Sequence, residues 1–319
     1  MTTDANGLVS LIKGTKQLKK TFNIFIKYCV PAKEKKVTTN VIQILTHGST
    51  LNHTYWDFAP GYSYVDVAAA SGLATLSYDR LGIGLSDHPN PLLETQGQAQ
   101  IEIYHGLVQL VRSGALGHSF SKVIAVGHSY GSTLGDGTLS KYPNDFDALI
   151  NTDYDGPLAW LKHTIFSLGL LKANTLPRLA HLPDGYLVPG KKEGLQTPFL
   201  KYPNFDPSVL DSTFETIQTF SLSELLNPAN STLWGNPVVL AAYTSPVMVV
   251  VGEHDFILCG RDCPQDKASQ ILQTTYSSAD PRKSLSWLVP GSGHNINGHL
   301  NVDQVFHKMA SWVNSLGWD

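Results

Sequence analysis

The sequence predicts an α/β protein: a mostly parallel β-sheet with helices packed on both faces. Two observations predict it. Short apolar or β-branched segments alternate with stretches whose apolar residues recur at helical spacing, the rhythm of strand–helix–strand crossovers. One of those segments, Lys122 to Val126, is a short continuous apolar run, as a strand buried on both faces of a parallel sheet must be.

Taken in order, Thr21 to Cys29 is a first strand candidate, rich in Phe, Ile and Tyr. Asn40 to Leu45 is a second and runs straight into Thr46-His47-Gly48-Ser49. Ala74 to Tyr78 is a third and ends in Asp79-Arg80-Leu81-Gly82-Ile83-Gly84. A helix follows with Ile103, Leu107, Leu110 and Val111 on one face. Beyond Lys122 to Val126, the pattern places a helix over Ser129 to Lys141 and a short strand at Ala148 to Asn151. A strongly β-branched strand lies at Pro246 to Val251 and a last one at Leu285 to Val289. The chain closes on Val302, Val305, Phe306, Met309, Trp312, Val313 and Leu316, an amphipathic stripe at helical spacing.

Between Asp155 and Ser245 the alternation breaks. The segment is rich in Leu, Pro, Asn and Gly, has helix-like stretches at Leu158 to Leu171 and Val209 to Leu226, and has no strand as β-branched as Pro246 to Val251. We therefore expect one core domain, residues 1–154 and 246–319, interrupted by a helical cap at 155–245. Length alone leaves one domain or two open.

Composition narrows the function. Of 319 residues 42% are hydrophobic and 15% charged, and 23 Lys+Arg against 26 Asp+Glu give a net charge of −3. That is too apolar for a disordered chain and has no basic excess for nucleic acid. No apolar stretch approaches the ~20 residues of a membrane-spanning helix. Met1 to Lys20 is Lys-rich and lacks the apolar core of a signal peptide. The expectation is an intracellular chain or one whose signal has been removed.

Lys13, Lys16, Lys19, Lys20, Lys27, Lys33, Lys35 and Lys36 make a basic arm; without aromatic or Arg clustering it reads as a solvated edge rather than an anion-binding surface. Cys29, Cys259 and Cys263 give an odd count that fits a reducing compartment. Cys259 and Cys263 bracket Gly260-Arg261-Asp262 and leave two readings open, a small-loop disulfide or two free thiols. Asn52-His53-Thr54 and Asn230-Ser231-Thr232 are glycosylation sequons.

The chemistry concentrates in a few residues. Gly127-His128-Ser129-Tyr130-Gly131 matches G-x-S-x-G and lies between a buried strand and a helix, the context that gives the motif meaning. A serine on so sharp a turn projects above the sheet, while the helix N-terminus aims backbone N–H groups at developing negative charge. Gly117-His118-Ser119-Phe120-Ser121 looks alike but lacks the second glycine and follows a loop.

A serine needs a base, and the base needs a carboxylate to hold its tautomer. Both belong later in the chain, on loops after strands. Val247 to Val251 runs into Gly252-Glu253-His254-Asp255, and Leu285 to Val289 into Pro290-Gly291-Ser292-Gly293-His294. The assignment is Ser129 nucleophile, Asp255 acid and His294 base. His299 is the rival base, and Glu253, Asp153 and Asp155 are the rival acids. Two N–H donors are expected for the oxyanion of acyl transfer, the amides of Tyr130 and Ser49. H-E-x-x-H, zinc-spaced Cys/His, G-x-x-x-x-G-K-[ST] and a strand-borne G-x-G-x-x-G are missing, so no metal, nucleotide or dinucleotide cofactor is expected.

Together these residues resemble the α/β-hydrolase superfamily over about positions 20 to 319. The matching motifs are His47-Gly48, Asp79-Arg80-Leu81-Gly82-Ile83-Gly84-Leu85-Ser86, the Ser129 motif, Asp255 and His294. Tyr28-Cys29-Val30-Pro31, Ala59-Pro60-Gly61-Tyr62-Ser63-Tyr64 and Phe256 to Cys263 look like a group of fungal serine hydrolases, many of them secreted. The resemblance implies an eight-stranded sheet, a site beneath the cap and no cofactor. Ser at position 129 argues against the epoxide hydrolases and dehalogenases, which use Asp. What it implies instead is an esterase or lactonase acting on a small to medium apolar substrate. The alternatives are a carbon–carbon bond hydrolase with the same triad, or a ligand-binding homologue. Trp160, Phe166, Tyr186, Phe199, Tyr202, Phe205 and Phe214 in the cap suggest an apolar or aromatic substrate, though packing within the cap explains them equally well.

Overall fold

The computed structural model describes residues 16–31, 40–154, 160–226 and 235–318, with Gly14 and Gly156. Lys13, Lys33, Lys35 and Lys36, the Asn230 sequon and Asp155 lie outside the described residues.

The core is a sheet of β1 (Ile26–Cys29), β2 (Val41–Thr46), β3 (Ala74–Tyr78), β4 (Lys122–His128), β5 (Ala148–Thr152), β9 (Val247–Gly252) and β10 (Leu285–Val289). Its order is β1-β3-β2-β4-β5-β9-β10. Only β1 is antiparallel to its neighbour; the other pairs are parallel. β2, β3, β5 and β9 are buried at every residue, which is why they read as apolar runs and not as alternation. β9 starts at Val247 because Pro246 has no N–H for the ladder; its carbonyl accepts from Leu149 N–H at 3.1 Å.

Two apolar layers cover the sheet. On one face the helix Gly97–Ser113 buries Ile101, Tyr104, Leu107, Val108 and Val111, while Ile103 and Leu110 of the expected stripe pack against the same layer only partly buried. On the other the closing helix Val302–Ser315 buries Val302, Val305, Phe306, Met309, Trp312 and Val313, matching its sequence stripe. None of the described helices is long and apolar enough to cross a membrane.

Two expectations need correction. The sheet has seven strands among the described residues, not eight. The first strand is also short, because Asn23 and Phe25 donate their N–H groups to Asp87 Oδ2 (2.7 Å) and Ser86 Oγ (2.9 Å), side chains of the loop after β3. Secondly, the inserted segment is not purely helical. Besides the helices Leu161–Leu168, Lys192–Phe199, Pro207–Glu215 and Leu222–Leu226, it holds a small antiparallel sheet of β6 (Leu171–Lys172), β7 (Tyr186–Val188) and β8 (Phe220–Ser221). Strands of two or three residues are too short to show alternation. This segment has an apolar cluster of its own, around Leu168, Tyr186, Val188, Leu195 and Leu210. Leu240 and Tyr243, further on, pack with the sheet instead.

Candidate active site

β4 delivers Ser129. Gly127 and His128 still pair with Asn151 and Thr152 of β5, so the strand runs two residues past its apolar stretch and ends at the motif serine. Ser129 N–H donates to Thr152 O at 2.9 Å, and the residue adopts φ 51° and ψ −116° before the helix Tyr130–Lys141 begins. That backbone is rarely populated by L residues and is held here by its surroundings. The flanking glycines make the turn possible: a Cβ on Gly127 would lie 2.5 Å from the Ser132 backbone, and one on Gly131 2.2 Å from Thr46 O.

Asp255 follows β9. Its Oδ1 caps the short helix Phe256–Cys259 by accepting from Leu258 N–H at 2.9 Å, which leaves Oδ2 to accept from His294 Nδ1 at 2.8 Å. His294 Nε2 then faces the Ser129 hydroxyl at 2.9 Å. The structure thus brings Ser129, His294 and Asp255 into one hydrogen-bonded series from three separate loops, with the acid and imidazole fully buried.

The rivals are accounted for by their contacts. His299 Nδ1 donates to Asn295 O at 2.8 Å, and its Nε2 accepts from Lys201 N–H and Gly293 N–H, both at 3.0 Å. It braces the turn that presents His294. Burial pushes its pKa down to about 4, so it stays neutral. Glu253 accepts from Gly291 N–H at 2.8 Å. Asp153 takes a left-handed φ of 50° and accepts from Gly252 N–H at 2.7 Å. Burial, then the Asp255 charge, hold its carboxyl well above the usual range. Ser119 donates to Arg112 O at 2.6 Å, in an exposed loop. Cys259 and Cys263 are disulfide-bonded and close the loop behind Asp255; Cys29 is free.

Asp153, Asp255 and His294 also offer ligand atoms within 4.8 Å of one another, close enough together to hold a metal ion. Here His294 Nδ1 and Asp255 Oδ2 are engaged with each other and the Asp153 carboxyl favours its protonated form. The set suits proton relay better than ion binding.

Ser129 opens onto a cleft of about 740 Å³, its mouth included. Ile165, Leu168, Phe199, Phe220, Leu225 and Ile257 form its apolar walls, and Gly48, Ser49 and Tyr130 lie beside the serine. Of the seven aromatic residues that the sequence singled out in the inserted segment, Phe199 lines this cleft; Phe220, which it did not single out, lines it too. Tyr186 and Phe205 are buried in that segment's cluster, whereas Phe166 and Tyr202 face solvent.

Sequence reasoning missed one pair. Arg80, fully buried, donates to Glu224 Oε1 at 2.7 Å, to Gln100 Oε1 at 2.8 Å and to Gly48 O at 3.2 Å, and its guanidinium lies over the Tyr130 ring at 4.7 Å. Glu224 in turn accepts from Ser49 Oγ at 3.3 Å and lines the cleft. Arg80 N–H donates to His47 Nε2 at 3.1 Å, and His47 Nδ1 to Gly48 O at 2.8 Å. Burial and then the Arg80 charge push His47 down to about 3, so it is a neutral brace for the loop bearing Ser49. The signal for Arg80 was its place after β3; Glu224 carried none.

This fold and this site define an α/β protein with a serine at its nucleophile turn. The chain belongs to the alpha/beta hydrolase family, whose model matches residues 43–307. Among solved structures, an esterase from Thermogutta terrifontis is 17% identical at a TM-score of 0.64, covering 92% of this chain and 94% of its own. A monoacylglycerol lipase from Paleococcus ferrophilus is 14% identical at a TM-score of 0.60, covering 92% and 98%. A methylesterase from Arabidopsis is 14% identical at a TM-score of 0.59, covering 86% and 99%. At these identities the likeness is one of fold. No curated protein matches the chain.

Proposed function

We propose that the protein is a serine hydrolase cleaving a carboxylic ester or lactone of a small to medium apolar substrate through an acyl-enzyme. The observation that carries this reading is the unbroken series Ser129 Oγ, His294 Nε2, His294 Nδ1, Asp255 Oδ2 at the floor of an apolar cleft.

Ser129 passes its proton to His294 Nε2 as Oγ bonds to the carbonyl carbon. Asp255 keeps the imidazole in its Nδ1–H tautomer and stabilises the imidazolium that forms. The oxyanion meets the backbone N–H groups of Ser49 and Tyr130, with the helix N-terminus behind Tyr130 adding its dipole. His294 returns the proton to the leaving oxygen as the carbon–oxygen bond breaks, and water repeats the steps to free Ser129. Residues 155–245 act as the cap, and the apolar lining of the cleft supports an apolar substrate. The motifs Ala59 to Tyr64 and Phe256 to Cys263 support placing the protein near the fungal serine hydrolases.

The test is hydrolysis of aryl esters and lactones by the protein and by Ser129→Ala, with a serine-directed phosphonate to label position 129. Ser129→Ala should lower kcat by about 10⁴ or more; near-full activity in that variant sinks the reading. Mass spectrometry of products from ester, lactone and diketone substrates separates it from carbon–carbon cleavage. Binding without turnover marks a receptor-like protein.

A further inference from the structure

Three consecutive residues beside Ser129 are each held from outside their own loop. Gly48 packs so close to the nucleophile that a Cβ there would lie 3.3 Å from Ser129 Cβ, and its carbonyl accepts from Arg80 Nη2 at 3.2 Å. Ser49 Oγ donates to Glu224 Oε1 at 3.3 Å. Thr50 O accepts from Gln218 N–H at 3.0 Å. Gln218 and Glu224 belong to the inserted segment, so two of these three contacts cross from that segment to the loop after β2.

The loop needs such support. β2 ends at Thr46, and Thr50 takes a left-handed φ of 65°, which a residue branched at Cβ keeps only where its surroundings impose it. Glu224 is itself well anchored. Its Oε1 also accepts from Arg80 Nη2 at 2.7 Å, its N–H donates to Ser221 Oγ at 3.2 Å, and Ser223 N–H beside it donates to Pro91 O at 3.0 Å.

Position matters here because an oxyanion donor acts only at hydrogen-bond distance from the atom on which charge develops. Loss of one such donor costs about 10²–10³ in kcat, and misplacement by about 1 Å costs about 10². Arg80 also lies over the Tyr130 ring at 4.7 Å, so the same ion pair touches the residues of both donors. Its guanidinium offsets the Glu224 charge, which alone would oppose an oxyanion beside Ser49.

We propose that Glu224 is a positioning residue for the reaction: through Ser49 Oγ it sets the Ser49 amide at the oxyanion, so that the inserted segment completes the machinery of turnover besides walling the cleft. This rests on the serine-hydrolase reading, in which Ser49 N–H is one of the two donors.

The probes are p-nitrophenyl butyrate and an alkyl trifluoromethyl ketone, whose tetrahedral adduct with the serine carries an oxyanion. Ser49→Ala keeps the amide and the buried ion pair and loses only the hydroxyl. It should lower kcat about tenfold with KM within about twofold, and raise the inhibition constant of the ketone by the factor by which kcat falls. Ser49→Thr, which keeps a hydroxyl, should restore most of the activity. Arg80→Met combined with Glu224→Leu should lower kcat by about 10², again with KM nearly unchanged. Adding Ser49→Ala to that pair should cost little more, since both remove the same link. Lys172→Ala, which breaks an exposed ion pair with Asp184 in the same segment, should leave kcat, KM and the inhibition constant as in the parent.

Parent-like kcat in Ser49→Ala, a rise in KM without a fall in kcat, or losses that multiply in the combined variant overturn the proposal and leave the serine-hydrolase reading standing. A Ser49→Thr no better than Ser49→Ala assigns the loss to packing and overturns it too. If Ser49→Ala does not fold, Arg80→Met with Glu224→Leu carries the same comparison. A parent protein that neither hydrolyses the ester nor takes the ketone at Ser129 overturns the serine-hydrolase reading, and this proposal with it.

Discussion

Asp153 and Asp255 place their carboxyl groups within 4.8 Å of each other behind His294, at the ends of neighbouring strands β5 and β9. Only Asp255 reaches the imidazole, at 2.8 Å. Asp153 instead accepts from the Gly252 N–H at the end of β9 and, buried beside a carboxylate, favours its neutral form. Two like charges so close would destabilise each other, so the pair works with one proton on the member that does not orient His294.

The consequence is an asymmetry between two substitutions of the same chemistry. Asp153→Asn mimics a protonated carboxyl and should leave kcat for an aryl ester within a few-fold of the parent. Asp255→Asn forces the wrong imidazole tautomer and should lower kcat by about 10⁴. Steady-state kinetics on both variants decide the matter; equal losses would move the acid's role onto the pair as a unit.

Arg80 and Glu224 form an ion pair whose side chains are 0% and 2% exposed, joining the loop after β3 to the inserted segment. Glu224→Ala leaves the guanidinium buried with only Gln100 and a carbonyl to satisfy it, and should cost about 3–5 kcal/mol of unfolding free energy in urea. Arg80→Met combined with Glu224→Leu should recover much of that loss, because the expense lies in the orphaned charge. A double variant no more stable than the single would contradict this.

How far the fold was legible depended on local pattern. β4 and its serine were readable because a buried apolar run met two glycines at fixed spacing, and the closing helix because seven apolar residues kept one period. Asp255 and His294 were readable because each follows a β-branched or apolar strand. The small sheet of β6, β7 and β8 was not, since its strands are shorter than any period. Glu224 was not, since its partner Arg80 is 144 residues away and such pairing leaves no local trace. The role of His299 was hidden for the same reason: its two donors, Lys201 and Gly293, come from different parts of the chain.

His299 should therefore matter for stability where His294 matters for turnover. His299→Leu strands two buried N–H donors and should cost about 2–5 kcal/mol. Because burial lowers its pKa from 6.5 to about 4, the folded state binds fewer protons than the unfolded chain between those values. Its contribution is complete above about pH 6.5 and is lost as pH falls toward 4. Urea unfolding at pH 4, 5.5 and 7 should show the gap between parent and His299→Leu widening with pH; a constant gap would show that burial does not hold His299 neutral in the folded state.

Asp136 should give the opposite slope. It lies on the helix Tyr130–Lys141, fully buried, where Oδ1 accepts from Tyr276 OH at 2.7 Å and Asn151 Nδ2 at 3.4 Å while Oδ2 meets no protein donor. Burial raises its pKa from 3.8 to about 7, against the lowering effect of those two donors. Between these values the folded protein holds a proton that the unfolded chain has released, so stability from this group is full below about pH 4 and declines as pH rises to about 7. Asp136→Asn, which reproduces the protonated shape without the titration, should lose to the parent or match it at pH 4. By pH 8 it should have gained on the parent by a few kcal/mol, on the order of the free energy of so large a shift. Parallel stability profiles for the two proteins from pH 4 to 8 would mean that Asp136 ionises in the folded state as it does in water.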